Sequence, residues 1–189
     1  MSRQNITITL THGALERDVV DKTAKLAKLN KYAGGDPNEI GDDREADSQF
    51  GAVVPDEQFM VREFQNALSE LCVEASKYMH AESANANDML AKTGSYTYKD
   101  PVTNENKTVD SSFEVKFSFP ANWNGAMATP LANIMHEYLV ARCMVEWFRY
   151  TMPSQMQAQM GIAASARQDF KKALRARTRL VASSATSKS

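Results

Sequence analysis

Between Pro130 and Pro153 the sequence carries a long apolar stripe with the spacing of an α-helix. Apolar residues recur there at alternating steps of three and four, so they share one face of a helix. Thr129 before Pro130 is a typical helix start, and Pro153 interrupts the pattern. The stripe, which predicts a core helix, contains Leu131, Ile134, Tyr138, Ala141, Val145 and Phe148.

A second apolar stripe predicts a helix that starts after Pro55. Asp56 can cap the first turn, and Glu57 favours the positive end of the helix dipole. Past Ala81 the composition becomes polar, and we expect the helix to end near residues 93–94. The apolar face comprises Phe64, Leu68, Leu71, Ala75 and Tyr78.

Two further segments have helical spacing. The first follows "NITITL" and stops at Gly34–Gly35, because glycine is the usual residue after a helix end. The second begins after Pro153 with Ser154 as its N-cap, and its second half is strongly basic. The inward residues of this last helix are expected to include Met156, Met160, Phe170 and Leu174.

Strands are indicated where the apolar period changes to two. "NITITL" predicts a short N-terminal strand, and "SSFEVKFSFP" places four apolar side chains on one face of a second strand. We expect Tyr96 and Tyr98 to begin the antiparallel partner of that second strand. "DPVTNEN" has the composition of an extended hairpin loop.

The pattern as a whole predicts a mainly α fold: a bundle of about four helices with one inserted antiparallel β-hairpin and a short N-terminal strand. We expect residues 1–164 to form the bundle, with an exposed acidic loop at 36–54 and the hairpin at about 95–119. Residues 165–189 are expected to form a basic helix end and a flexible tail.

Composition limits the class of protein further. With 189 residues and 43% hydrophobic content, the chain can bury one proper core. Cys72 and Cys143 lie inside apolar helical patterns rather than at disulfide or zinc spacing, which predicts reduced core thiols of an intracellular protein. No signal peptide and no run of eighteen apolar residues is present, so we expect neither secretion nor a membrane span.

Charge is distributed unevenly along a chain whose formal net charge is −1. From Ser165 onward seven cations face a single carboxylate, Asp169, which gives this segment a charge of +6. The other residues contain 15 cations and 22 carboxylates, a charge of −7. The cations of this segment up to residue 179 are Arg167, Lys171, Lys172, Arg175, Arg177 and Arg179.

The search for catalytic chemistry yields no candidate site. His12, His80 and His136 are isolated, and no second histidine follows His136–Glu137 at zinc-protease spacing. The acidic loop lacks the ordered alternation and central glycine of a calcium loop. Gly34–Gly35 is not followed by the Lys–Ser/Thr pair of a phosphate-binding loop. We therefore expect no enzyme activity, no cofactor and no bound metal.

The basic end has three interpretations. Its cations can complement the C-terminal helix dipole, contact the phosphates of nucleic acid, or dock on an acidic protein surface such as a neighbouring copy. Arg175, Arg177 and Arg179 have two-residue spacing and do not share one helical face. This spacing suits a segment that is surrounded on several sides.

Nearly the whole chain resembles the head-to-tail connector, or neck adaptor, proteins of tailed bacteriophages. The resemblance is carried by "NITITL" before a helix, by the acidic linker before "DEQFMVREFQNALSELCVEASKYM", and by the strand "SSFEVKFSFP". Its strongest part is "LVARCMVEWFRYTMPSQMQAQMGIAASARQDFKKALRARTR", an apolar helix, a break, a small-residue helix and a basic tip.

The resemblance implies a structural virion protein that is assembled in the host cytoplasm. Copies would form a homo-oligomeric ring, of about twelve by that resemblance, between the portal protein and the tail or other neck proteins. Double-stranded DNA would pass through the lumen without sequence readout, and no membrane would be involved. The basic end would dock on the portal or hold neighbouring subunits together. The hairpin loop with Pro101, Asn104 and Asn106 would make a second contact.

Two alternatives stay open at this point. One is a tail-completion or minor capsid protein of the same virion. The other is a helical nucleic-acid-binding regulator that uses the basic end to contact phosphates.

Overall fold

A computed structural model describes residues 3–34, 55, 57–80, 90–91, 96–99, 105–109 and 112–178. The helices are α1 (His12–Gly34), α2 (Glu57–Glu74), α3 (Ala128–Thr151) and α4 (Pro153–Leu174). The strands are β1 (Arg3–Thr11), β2 (Leu90–Ala91), β3 (Tyr96–Lys99), β4 (Asn106–Val109) and β5 (Ser112–Pro120). The four helices, the two-stranded hairpin and the N-terminal strand confirm the predicted mainly α fold.

Helix α3 lies at the centre of the packing because nearly every turn of it is apolar on more than one side. It contacts α1, α2 and α4, and Leu131, Met135 and Phe148 are fully buried. Pro153 occupies the first turn of α4, where its missing N–H costs nothing, and Met152 lies between the two helices. The predicted Ser154 cap is therefore wrong: no side chain caps α4, and Ser154 lies inside the helix.

The sheet corrects the predicted strand pairing. β5 is the central strand of the order β1-β5-β2, and it pairs antiparallel with β1 from Arg3↔Pro120 to Thr11↔Ser112. The expected partner, beginning at Tyr96 and Tyr98, instead pairs with β4 in a separate hairpin. The apolar alternation of β5 was predicted correctly, since its four inward residues Phe113, Val115, Phe117 and Phe119 are buried.

Helix α2 ends much earlier than the polar composition after Ala81 suggested. The helix stops at Glu74, and residues 76–78 form a 3₁₀ turn. The chain then joins the sheet, because Met79 bridges Phe117 and the His80 N–H donates to the Lys116 carbonyl at 2.9 Å. Backbone bonds to β5 replace the helical bonds that the sequence pattern alone would have continued.

Some predictions lie outside the described residues. These are the acidic loop 36–54, the Asp56 cap, the loop residues Pro101 and Asn104, Arg179, and the tail that follows it.

Candidate functional site

A cleft of about 500 Å³ opens where α2, α3 and α4 meet. The sequence brings these helices together because the apolar stripe of α3 is wide enough to pack on both neighbours. Both charged and apolar side chains line the cleft. The residues that line it include Glu70 on α2, Tyr138 and Arg142 on α3, and Met160, Arg167 and Lys171 on α4.

A chain of charged and hydrogen-bonded side chains crosses this cleft. The Tyr138 hydroxyl donates a hydrogen bond to Glu70, and Arg142 donates to Glu70 Oε1 at 3.0 Å. Arg142 also contacts Glu146 at 3.2 Å, one turn along α3, and Arg149 contacts Glu146 at 3.0 Å. The network links α2 to α3 and matches each of its carboxylates with a cation.

Protonation in the cleft follows from this geometry. Burial and the hydrogen bond to Glu70 raise the pKa of Tyr138 to about 12. Burial alone would raise the pKa of Glu70, but the hydrogen bonds from Tyr138 and Arg142 outweigh it, so the pKa of Glu70 is lowered. The phenol therefore stays protonated and the carboxylate stays ionised at neutral pH.

The first half of the basic segment is paired within the fold. Arg167 Nε lies 3.0 Å and Lys171 Nζ lies 3.1 Å from the carboxylate of Glu74, at the end of α2. These bonds lower the pKa of Glu74. Lys172 contacts Asp169 at 2.7 Å on its own helix. Arg167 and Lys171 therefore pair with a carboxylate of their own fold.

The helix that carries these cations is also part of the core. Phe170 is fully buried, and Ala166, Ala173 and Leu174 are nearly so. The proposed boundary at residue 164 falls inside α4, which runs without a break to Leu174. Residues 165–174 thus belong to the bundle.

The last described residues are held in a defined position by the segment after β5. Trp123 Nε1 donates to the carbonyl of Ala173 at 3.0 Å, and Trp123 forms an antiparallel bridge with Arg177. The Thr178 N–H donates to the Asn122 carbonyl at 2.9 Å. Trp123 is itself fixed by stacking on Phe119, with ring centroids 4.1 Å apart. Arg175 and Arg177 are consequently exposed on an anchored backbone.

The predicted hairpin contact is described only in part. Asn106 is exposed and pairs with Lys99 at the loop end of the β3–β4 ladder. The hairpin lies beside α1, whereas the basic end contacts α2 and the segment after β5. The structure therefore places Asn106 and the basic end on different elements.

The histidines and thiols occupy structural positions. His12 is buried with its ring edge-on to Phe64 at 5.6 Å, and His136 Nε2 lies 2.9 Å from Asp18 Oδ2. Both cysteines are free, and burial raises the pKa of Cys72 to about 11 and that of buried Cys143 as well. In the described part of the chain no group of three or more His, Cys, Asp or Glu side chains could hold a metal ion.

Sequence reasoning missed the carboxylates that organise the cleft. Tyr138 was predicted as a core residue, and neither Glu70 nor Glu74 was singled out. Their partners lie 68 and 93 residues away along the chain. The only available signal was that Glu70, Val73 and Glu74 interrupt the apolar pattern at adjacent positions of one helix surface.

The arrangement of charged and apolar side chains in the cleft is suited to recognition. Its three cations are matched by three carboxylates, and Tyr138 is held as a hydrogen-bond donor. Met160 is half exposed inside the cleft, while Val73, 76% exposed, lies beside the same Glu70–Arg142 pair. Apolar side chains surrounded by charged groups are typical of a protein-binding surface.

None of the helices in the described residues is both long and apolar enough to cross a membrane. No family model, curated protein or solved structure matches the chain.

Proposed function

We propose that the chain is a structural subunit of the neck of a tailed bacteriophage, a connector that assembles as a ring between portal and tail. The observation that carries the proposal is the anchored basic end. Arg175 and Arg177 are exposed on backbone that is fixed to residues 122–124. A fixed array of arginines can pair with carboxylates of another protein in forked geometry at a low entropic cost.

Because the sequence resembles neck adaptor proteins, we infer that the partner of this surface is the portal. The pairing of Arg167 and Lys171 with Glu74 restricts the docking element to the chain that follows Leu174. Arg175 and Arg177 are its described cations, and Arg179 continues the same run in the sequence. Lys172, already paired with Asp169, contributes less.

The proposal is tested by recruitment of the purified full chain to tailless heads that carry the portal. Wild-type protein is expected to co-sediment with these heads, and Arg175→Glu combined with Arg177→Glu is expected to abolish binding. The matched control is Lys22→Glu combined with Lys25→Glu, which reverses two exposed cations on α1. The proposal fails if the control and the basic-end variant bind heads equally well.

The same variants separate the neck protein from a nucleic-acid-binding regulator. A regulator that uses these cations would bind free duplex DNA, with a log–log salt slope of about 0.9 per phosphate contact. We expect little binding of free duplex by the wild-type monomer at physiological salt. Tight duplex binding that the Arg175 and Arg177 reversals remove would favour the regulator instead.

A further inference from the structure

β1 is an outer strand with a long open edge. Nine residue pairs join it to β5, from Arg3↔Pro120 to Thr11↔Ser112. On its other side, no backbone group of the described residues forms a hydrogen bond with β1. In an antiparallel ladder alternate residues direct their N–H and C=O groups away from the partner strand. β1 therefore presents a row of backbone donors and acceptors along its outer side.

From Asn5 to Thr11 the sequence of this edge lacks the residues by which proteins commonly prevent strand addition. Between Asn5 and Thr11 it contains no charged residue, proline or glycine, and its register with β5 has no bulge. Ile8 and Leu10 are buried against the core, while Thr7 and Thr9 are exposed. A long, regular strand rich in β-branched residues is a good template for another strand.

The same chain contains a hairpin of only two strands. β3 and β4 pair over four residues each, from Tyr96↔Val109 to Lys99↔Asn106. Within the described residues this hairpin pairs with no third strand. A two-stranded hairpin is marginally stable in water, and a third strand stabilises it. The sequence of β3, Tyr-Thr-Tyr-Lys, has the aromatic and β-branched residues of a strand.

We propose that β1 of one copy pairs with the β3–β4 hairpin of a second copy, so that the sheet continues across the boundary between them. Strand addition supplies the main-chain bonds that both the edge and the hairpin lack. Threonine–threonine and aromatic–β-branched neighbours across strands are favourable. The segment between Asn5 and Thr11 is uncharged, so it would not repel Lys99 and Lys107 of the hairpin.

The edge and the hairpin are different surfaces of one chain, so the contact is heterologous. Contacts of this type repeat head to tail and close into a ring when the rotation permits. Strand pairing of this kind would supply the surfaces through which copies contact one another in the proposed neck protein. Only the closure of these contacts into a ring rests on the proposed function. Strand pairing itself is measurable on the full chain alone.

The first test places charge on the open edge. Thr7→Lys combined with Thr9→Lys adds two cations at exposed positions of β1, which opposes strand addition and leaves the core face unchanged. Gln157→Lys combined with Ser165→Lys adds the same charge at exposed positions of α4 as the control. In sedimentation velocity, wild type and control are expected to associate as concentration rises, and the edge variant to stay monomeric with unchanged helical circular dichroism.

The second test uses disulfide trapping to identify which strand pairs with the open edge of β1. Thr9→Cys combined with Thr97→Cys or with Thr108→Cys is expected to give a ladder of dimers, trimers and larger species under mild oxidation. Efficient dimer formation by Thr9→Cys alone would show that two β1 strands pair with each other, which overturns the hairpin as occupant. A wild-type chain that stays monomeric at every concentration, or an edge variant that associates normally, also overturns the proposal.

Recruitment to portal-bearing heads, measured on the same samples, separates the two proposals. Head binding without self-association through β1 contradicts the strand pairing and leaves the neck function intact. Self-association through β1 without head binding supports the strand pairing and contradicts the neck function.

Discussion

The phenol of Tyr138 donates a hydrogen bond to the carboxylate of Glu70, although 68 residues separate them in the sequence. Tyr138 lies on α3 and Glu70 on α2, so the bond ties two helices together in the cleft. Arg142 approaches the other oxygen of Glu70, at 3.0 Å. One carboxylate therefore holds two side chains of α3 in place.

Removing the phenol should weaken this connection moderately. Tyr138→Phe is expected to lower the free energy of unfolding by about 1 kcal/mol, since Glu70 keeps Arg142 and is not left unpaired. Urea unfolding followed by circular dichroism measures the change. Tyr150→Phe, at a side chain that is 76% exposed, is the control and should have no effect. Equal stabilities of the two variants would mean that the Tyr138–Glu70 bond contributes nothing.

The pairing of Glu74 with Lys171 and Arg167 should make the stability of the fold depend on pH in the acidic range. The pKa of Glu74 is lowered by Lys171 and Arg167, so its stabilising contribution is fully present above the ordinary pKa of 4.5. It is lost as the pH falls through the lower pKa of the folded state. Glu74→Gln should therefore be less stable than wild type near neutral pH, and the difference should shrink in acid. Melting temperatures across this range test the sign, with exposed Glu137→Gln as the control.

Phe170 tests whether the basic helix belongs to the core. It has no exposed surface, and its loss should leave a cavity, so Phe170→Ala is expected to cost about 3–5 kcal/mol. Lys172→Ala, two residues away and exposed, should change stability by less than about 0.5 kcal/mol. Both values come from urea unfolding. Similar small effects at the two positions would contradict the burial of this helix end.

Truncation should show that the basic segment up to Leu174 belongs to the core. A chain that ends at Ala166 loses Phe170, Leu174 and the Ala173 carbonyl that accepts from Trp123, and it is expected to melt far below wild type. A chain that ends at Thr178 keeps all of these contacts and should melt close to wild type. A shorter chain that remained fully stable would show that the last turns of α4 are dispensable.

The sequence predicted those parts of the fold that depend on local pattern. The stripe of α3, the proline between α3 and α4, and the alternating phenylalanines of β5 each occupy a short stretch of chain. Hydrophobic periodicity is decided within such windows, so the elements and their buried faces were predictable.

The parts that could not be predicted depend on contacts between distant residues. β5 has two candidate partners of strand-like composition, and periodicity does not distinguish them. α2 ends at Glu74, shortly before Met79 bridges Phe117, and that contact has no local signal. The charge polarity was read correctly from composition, but composition cannot show that Glu74 binds Arg167 and Lys171.

The pairing of β1 with β5 has a consequence for how the chain reaches its folded state. Arg3 meets Pro120, so the first strand to leave the ribosome has no partner in its own sheet until more than a hundred residues have followed. Closing so long a loop costs entropy before any ladder bond forms, which slows folding. Meanwhile the uncharged segment from Asn5 to Thr11 has both edges open, and unpaired edges of this kind promote aggregation during folding.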